Sequence, residues 1–245
     1  MEKITSVNNS LIKELSLLKN KKYRDEKRLF LVEGYHLVEE SLKHNQLMMV
    51  LITDEKDEVK GIRNILVSPS IIEKLSSTKS PQAIIGVSSY LDNTSIMGER
   101  FLLLDNIQDP GNLGTIIRSA IAFDIDQIII SPDTCDFYND KVIRSTQGAI
   151  FSMPIIRLDL LEAIKILKDQ GIVIYGTDLF GQPLNEIPLN SKYAICLGNE
   201  GNGVRNTVKD KCDYNILIEM NKKIESLNVG VAGSILMYQF YKQIK

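Results

Sequence analysis

Tyr193-Ala-Ile-Cys-Leu-Gly198-Asn-Glu200-Gly-Asn-Gly203 is the stretch on which the reading of this chain turns. Its first half is a short apolar run ended by glycine, the composition of a buried strand. Its second half places three glycines among six residues, a loop that lets a ligand approach the backbone closely. Tyr214-Asn-Ile-Leu-Ile-Glu-Met220 repeats the pattern as a second strand, followed by a polar loop over 221–225. Ser226 then stands as an N-cap, and Val229, Val231, Ile235, Leu236 and Phe240 carry helical apolar spacing. Strands that release polar loops side by side are how α/β proteins build ligand clefts.

Outward from there, the alternation continues. Strands are expected at 101–105, 127–131, 154–157, 172–176, 194–198 and 214–219, with helices at about 113–123, 139–147, 159–170 and 226–243. Near-continuous apolar strands alternating with helices predict a parallel sheet covered on both faces. Upstream lies a smaller α/β unit. It has a helix over Asn8–Lys22, strands at 29–33, 47–52, 64–67 and 83–89, a helix beyond Gly34 and a short one opened by Pro69. The expected organisation is residues 1–90, a polar linker over 91–100, and a second domain over 101–245.

The chain has 245 residues, 44% hydrophobic and 24% charged, with a net charge of −2, which advertises no global field for nucleic acid. Residues 1–28 differ, with eight cationic side chains against four anionic ones. They form either a solvated helix face or a basic surface for a polyanion. The three cysteines are scattered, and the two histidines, His36 and His44, have no acidic or thiol cluster at ligand spacing, so neither a disulfide framework nor a metal site is expected. No signal-like leader and no apolar run of about 20 residues stands out, so a reduced, cytoplasmic protein is expected.

Three loops can carry chemistry. In Asn106-Ile-Gln-Asp-Pro-Gly-Asn112-Leu-Gly114-Thr-Ile-Ile-Arg118, a turn leads from strand to helix and Arg118 follows Gly114 by one helical turn. Its planar guanidinium suits phosphate or carboxylate. The second loop is Gly198–Gly203. It is neither a dinucleotide fingerprint nor a P-loop, and Glu200 in it is read as a base, a hydrogen-bond acceptor for a ligand, or a structural cap. The third is Ser226-Leu-Asn228, where backbone amides and the Asn228 side chain can hold a ligand or simply cap the helix.

Taken in order, Asn112-x-Gly114-x-x-x-Arg118, Gly198-x-Glu200-x-x-Gly203 and Ser226-Leu-Asn228-Val229 resemble the three signature motifs of the SpoU (TrmH) family of RNA ribose 2′-O-methyltransferases. Lys141-Val-Ile-Arg144-Ser-Thr-Gln-Gly-Ala149 resembles the family's segment between the first two motifs. Phe30-Leu-Val-Glu33-Gly34 and the helix after it resemble the small RNA-binding domain that precedes the catalytic domain in many members.

The resemblance implies a trefoil knot in the C-terminal domain, S-adenosylmethionine held within it, and a homodimer whose second subunit completes the cleft. The residues carried over for the cofactor are Thr177, Leu197, Gly198, Gly203, Ile218, Met220 and Leu227. Those for the chemistry are Asn112, Arg118, Glu200, Ser226 and Asn228. Lys19, Lys21, Lys22, Arg24 and Arg144 are expected to contact RNA, with Arg144 near the cleft. The domain layout resembles the ribosomal-RNA branch, which favours 23S ribosomal RNA over transfer RNA. Departures from the family pattern are Glu219 and Lys222 in the third loop and Gly230 in the following helix. They keep open a catalytically inactive RNA-binding protein of the same fold. A dehydrogenase is disfavoured by the missing G-x-G-x-x-G after the first strand.

Overall fold

Alternation of apolar strands with amphipathic helices predicts two sheets, and the computed structural model, which describes residues 1–92, 95–221 and 223–244, contains both. In chain order the elements are β1 (Glu2–Ile4), α1 (Ser10–Leu17), α2 (Lys21–Lys27), β2 (Leu29–Glu33), α3 (Tyr35–Lys43), β3 (Leu47–Ile52), β4 (Arg63–Val67), α4 (Pro69–Leu75) and β5 (Ile84–Ser89). They continue with β6 (Arg100–Asp105), α5 (Pro110–Ala122), β7 (Gln127–Ile130), α6 (Asp140–Thr146), β8 (Ile155–Arg157), α7 (Leu160–Asp169), β9 (Val173–Pro183), β10 (Tyr193–Gly198), α8 (Asn206–Lys209), β11 (Tyr214–Leu217) and α9 (Val229–Ile244).

The first unit comprises Met1–Asp92 together with Asp136–Ser152. Its five-stranded sheet runs β1-β4-β3-β5-β2, with β5 antiparallel to both β2 and β3. Residues 136–152 were expected inside the second domain. They pack here because Tyr138 and Phe151 stack around Phe30, whose ring is fully buried. The single helix expected over Asn8–Lys22 is two helices. α1 stops at Leu17, and Asn20 caps α2 by accepting a hydrogen bond from the Lys22 amide at 2.9 Å. The three-residue β1 was not foreseen, being too short to show periodicity.

The second unit comprises residues 93–135 and 153–245, and its six-stranded sheet has the order β11-β9-β10-β6-β7-β8 with every pairing parallel. Successive side chains of each strand face opposite sides, so a strand covered on both faces must be apolar throughout. Phe101, Leu103, Ala194 and Cys196 pack on one face with Leu160, Ile164 and Leu167 of α7. On the other face Tyr175 and Tyr193 meet Phe240 of α9, with ring centroids 4.9 and 4.5 Å apart. β9 runs seven residues past the expected end at 176, because its pairing with β11 resumes beyond a bulge, joining Ile216 to Gln182 and Leu217 to Pro183.

From β6 the sheet grows outward through β7 and β8, and the chain then crosses back to place β10 and β9 on the other side of β6. The adjacent ends of β6 and β10 form the topological switch point, where open α/β sheets hold their ligands. Gly198, the last residue of β10, is in register with Asp105, the last of β6.

Candidate active site

At that switch point Gly198 has no room for a side chain. A Cβ placed on it would lie 2.0 Å from both the Gly203 carbonyl carbon and the Val204 nitrogen. The loop folds back on the strand end as a tight hairpin. Asn199 and Gly203 exchange backbone hydrogen bonds of 3.0 and 2.9 Å, with Gly203 at φ +66°. The Asn199 side chain pins the hairpin from both ends. Its Oδ1 accepts from the Gly201 and Asn202 amides, and its Nδ2 donates to the Asn106 carbonyl at 2.9 Å. Beyond the hairpin, the Arg205 amide and Nε donate to the two oxygens of the fully buried Asp105, at 2.9 and 2.8 Å. The glycine loop is thus fastened to the end of β6 on both sides.

Glu200, at the tip, faces the first loop. Its carboxylate accepts from the amides of Gln108 (3.3 Å) and Asp109 (3.2 Å) and from Asn112 Nδ2 (3.0 Å). Asn112 Oδ1 in turn accepts from Asn228 Nδ2 at 2.8 Å, and Asn228 Oδ1 accepts from the amides of Gly230 and Val231. Burial pushes the Glu200 pKa up, but the Asn112 amide and the backbone N–H groups outweigh it, and the carboxyl is held below its ordinary value. Glu200, Asn112 and Asn228 therefore form one relay through all three motif loops. Asn228, not Ser226, caps α9, because the helix begins at Val229 and its first free amides point at Asn228 Oδ1. Ser226 is exposed and lies in the cavity wall.

Between the glycine loop, the end of β9 and the segment before α9 is a cavity of about 410 Å³, within the range of small-molecule sites. Leu197, Gly198, Gly203, Ile218, Met220, Leu227 and Ser226 line it. Thr177 lines it as well, its hydroxyl donating to the Cys196 carbonyl at 3.0 Å. Every residue expected to hold a cofactor therefore borders one cavity. Of the residues expected to do chemistry, Glu200 and Ser226 border it, while Asn112 and Asn228 join through the relay. Arg118 is exposed on α5 and does not line the cavity. It makes no hydrogen bond or ion pair with another described residue. Glu219 is exposed beside Met220, and Lys222 lies outside the described residues.

In the first unit, Arg24 is 6% exposed and binds the Leu18 carbonyl at 2.8 Å and the Asp136 carboxylate. This corrects its expected role. A guanidinium this buried, held by the Leu18 carbonyl and Asp136, holds the fold and offers almost no surface to RNA. Lys19 donates to the carbonyls of Lys74 (2.9 Å) and Ser76 (2.8 Å) at the end of α4. Lys21 pairs with Asp25 and Arg144 with Asp140, each one helical turn apart. The Lys22 side chain makes no hydrogen bond or ion pair within the described residues.

Asp105, Arg205, Asp178 and Lys209 were not foreseen. Asp178 and Lys209 line the cavity and pair at 3.0 Å. The visible signal for Asp105 was its place as the polar end of an apolar strand, where a carboxylate must find a partner or remain outside the core.

Residues 99–238 match the family model described as "SpoU rRNA Methylase family", and residues 9–86 match the "MRM3-like substrate binding domain". The chain is 38% identical over 244 residues to the 23S rRNA (guanosine(2553)-2′-O)-methyltransferase RlmP of Bacillus subtilis (strain 168), covering 97% of this chain and 98% of that one. Among solved structures it resembles an AdoMet-bound rRNA methyltransferase from Sinorhizobium meliloti, with a TM-score of 0.87 at 27% identity over 100% of this chain and 98% of the other. It also resembles an RNA 2′-O ribose methyltransferase, with a TM-score of 0.83 at 27% identity and 98% of each chain covered.

Proposed function

We propose that this chain, which belongs to the SpoU rRNA Methylase family, transfers a methyl group from S-adenosylmethionine to a ribose 2′-hydroxyl of 23S ribosomal RNA. The observation that carries this reading is the Glu200–Asn112–Asn228 relay beside a cavity bordered by every expected cofactor residue. The RlmP name supplies the RNA, and a guanosine is the first nucleotide to examine.

The cavity fits the cofactor in kind. Apolar side chains of Leu197, Leu227 and Ile218 suit an adenine ring, and the absence of a side chain at Gly198 and Gly203 lets it come close to the backbone. When bound, S-adenosylmethionine supplies an electrophilic methyl group on a sulfonium. The chain's own residues do the positioning, which in well-held reactions is worth about 7–11 kcal/mol. Glu200 and Asn112 fix the first loop against the glycine loop, and Asn228 ties both to the start of α9. Arg118 clamps the phosphate next to the target ribose and stabilises charge developing on the 2′-oxygen. Ser226 orients the ribose from the cavity wall.

The reading includes a homodimer. α5 and α9 present Ile121, Val231, Ile235 and Tyr238 to solvent as an apolar stripe at helical spacing, and Arg118 lies on α5 outside its own chain's cavity. A second copy covering that stripe would bring in the arginine that each cavity lacks. The reading also includes a knotted C-terminal segment. Its support is that α9 packs closely on β10, where a Cβ on Gly233 would lie 2.6 Å from Leu197 Cδ1, while Asn228 reaches back to the first loop. The first unit, which matches a substrate-binding domain, binds the RNA on this reading, and Lys22 is exposed and unpaired among the described residues. Lys21 and Arg144 exchange surface carboxylates for phosphates at little cost. Action on ribosomal RNA, as in the RlmP relative, supports a cytoplasmic location. No helix among the described residues is long and apolar enough to cross a membrane.

The test is incubation with methyl-labelled S-adenosylmethionine and RNA from cells lacking this protein, followed by nucleoside analysis. Label in a single 2′-O-methylnucleoside of 23S RNA is the expected result. Label confined to transfer RNA overturns the substrate. Cofactor binding without label on any RNA or ribosomal particle favours the inactive RNA-binding protein.

A further inference from the structure

We infer that the Lys209–Asp178 ion pair recognises the amino-acid end of S-adenosylmethionine, Lys209 taking the carboxylate and Asp178 the ammonium. The inference rests on the cofactor reading above and names side chains that no sequence motif marked. Adenosine needs apolar walls and backbone polar groups, and the glycine loop with its facing segment supplies both. The methionine end is a zwitterion, and a carboxylate entering a partly dry cavity needs a cation. Among the described residues that line the cavity, Lys209 is the one cationic side chain.

Its geometry suits the task. Lys209 Nζ and Asp178 Oδ2 are 3.0 Å apart, with side chains 24% and 19% exposed, so both are shielded from bulk water yet open to the cavity. Asp178 is held in place because its Oδ1 accepts from the Phe180 amide at 3.1 Å. Burial raises its pKa, the Lys209 and backbone contacts outweigh this, and the carboxyl stays ionised. An ammonium has three donors and this one makes a single hydrogen bond among the described residues; a carboxylate has about four lone-pair sites. Each partner thus keeps capacity for a further charge of opposite sign. A zwitterion set against the pair makes a ring of alternating charges with no net charge buried. A pair that only tied α8 to β9 would not need to border the cavity.

The experiment is calorimetric titration of the full chain with S-adenosylhomocysteine, which carries the amino-acid end, and with 5′-methylthioadenosine, which lacks it. The wild type should bind the first about 10- to 100-fold more tightly, the factor that a charge-assisted hydrogen bond supplies. Lys209→Met should erase that preference by weakening S-adenosylhomocysteine alone, with methylthioadenosine changed by less than about twofold. Asp178→Asn should act in the same selective way, and Lys209→Arg should keep most of the preference. Equal weakening of both ligands by Lys209→Met, or of neither, overturns the inference and leaves the pair a structural tie. Equal affinity of the wild type for the two ligands also overturns it. Failure of the wild type to bind either ligand overturns the cofactor reading itself, and the inference with it.

Discussion

Alanine at Gly198, Gly201 and Gly203 should give three different outcomes, although the three look alike in the sequence. At Gly198 the new Cβ would lie 2.0 Å from two backbone atoms of residues 203 and 204. Non-bonded carbons rest at about 3.5–4.0 Å, so the hairpin would have to retreat by about 1.5 Å. Backbone held by the Asn199–Gly203 pair and by Arg205 on Asp105 cannot do so alone. Overpacking of this kind costs about 3 kcal/mol or more, and the retreat would carry Glu200 away from Asn112. At Gly203 nothing lies within 4 Å, but φ is +66°. Alanine there costs about 1–2 kcal/mol through backbone strain alone. At Gly201 the nearest atom is Asn199 Oδ1 at 3.5 Å, an ordinary contact, and no positive φ is imposed. The assay is thermal melting of the free protein together with titration of S-adenosylhomocysteine. Gly198→Ala should lower the melting temperature by about 6–12 °C, Gly203→Ala by about 2–8 °C, and Gly201→Ala by no more than about 2 °C. Cofactor affinity should fall in the same order. Gly198→Ala with wild-type melting and affinity, or Gly201→Ala as harmful as Gly198→Ala, would refute the packed hairpin.

Glu200→Gln keeps the shape but loses the charge that gathers three donors, so cofactor binding and turnover should both fall, as titration and labelling would show. Because the folded pKa of Glu200 lies below the unfolded value of about 4.3, its contribution is complete above that value and is lost as pH falls through the folded pKa. Wild-type stability below about pH 4 should therefore drop more steeply than that of Glu200→Gln, as acid titration of the melting temperature would reveal. Arg205→Met leaves the buried Asp105 with one of its two Arg205 donors, and urea unfolding should show a loss of about 1–3 kcal/mol. Val231→Glu, on the exposed stripe of α9, should convert a dimer to a monomer by light scattering while leaving the fold intact by circular dichroism. Arg118→Lys keeps the charge but loses the fork, and turnover at saturating RNA should fall while cofactor affinity holds.

The strands were legible because burial on both faces forces unbroken apolar runs, as at Phe101–Leu104 and Tyr193–Leu197. The parallel sheet of the second unit followed from the helices between them. What was not legible depended on contacts between residues far apart in the chain. Asn112 meets Glu200 across 88 residues and Asn228 across 116. No local pattern encodes such a meeting, and only the resemblance to a family put the three on one list. A count of charges could not tell Arg24, sealed against Asp136, from Lys22 on the surface. The break between α1 and α2 was masked because the apolar spacing of Leu11, Ile12, Leu15 and Leu18 runs up to it without a glycine or proline. Ser226 and Asn228 are both good caps, and their order was decided by which one faces the free amides of Gly230 and Val231.

The relay also bears on where the ribose proton goes. Glu200 stood as a candidate base, but a base needs a free lone pair and a pKa near the working pH. Two backbone amides and one side-chain amide already donate to its oxygens, and they hold its pKa below the ordinary carboxylate value. Accepting a proton would break the contacts that shape both loops. A guanidinium such as that of Arg118 keeps its proton in proteins and is a poor base as well. On the proposed reading, the substrate's own phosphate, the group that Arg118 clamps, takes the proton. The proton leaves as the 2′-oxygen gives electron density to the incoming methyl group, which makes the hydroxyl acidic, so a weak acceptor suffices. That division fits loops built from amides around a carboxylate held below its ordinary pKa: they hold two reactants in line and leave the proton to the RNA.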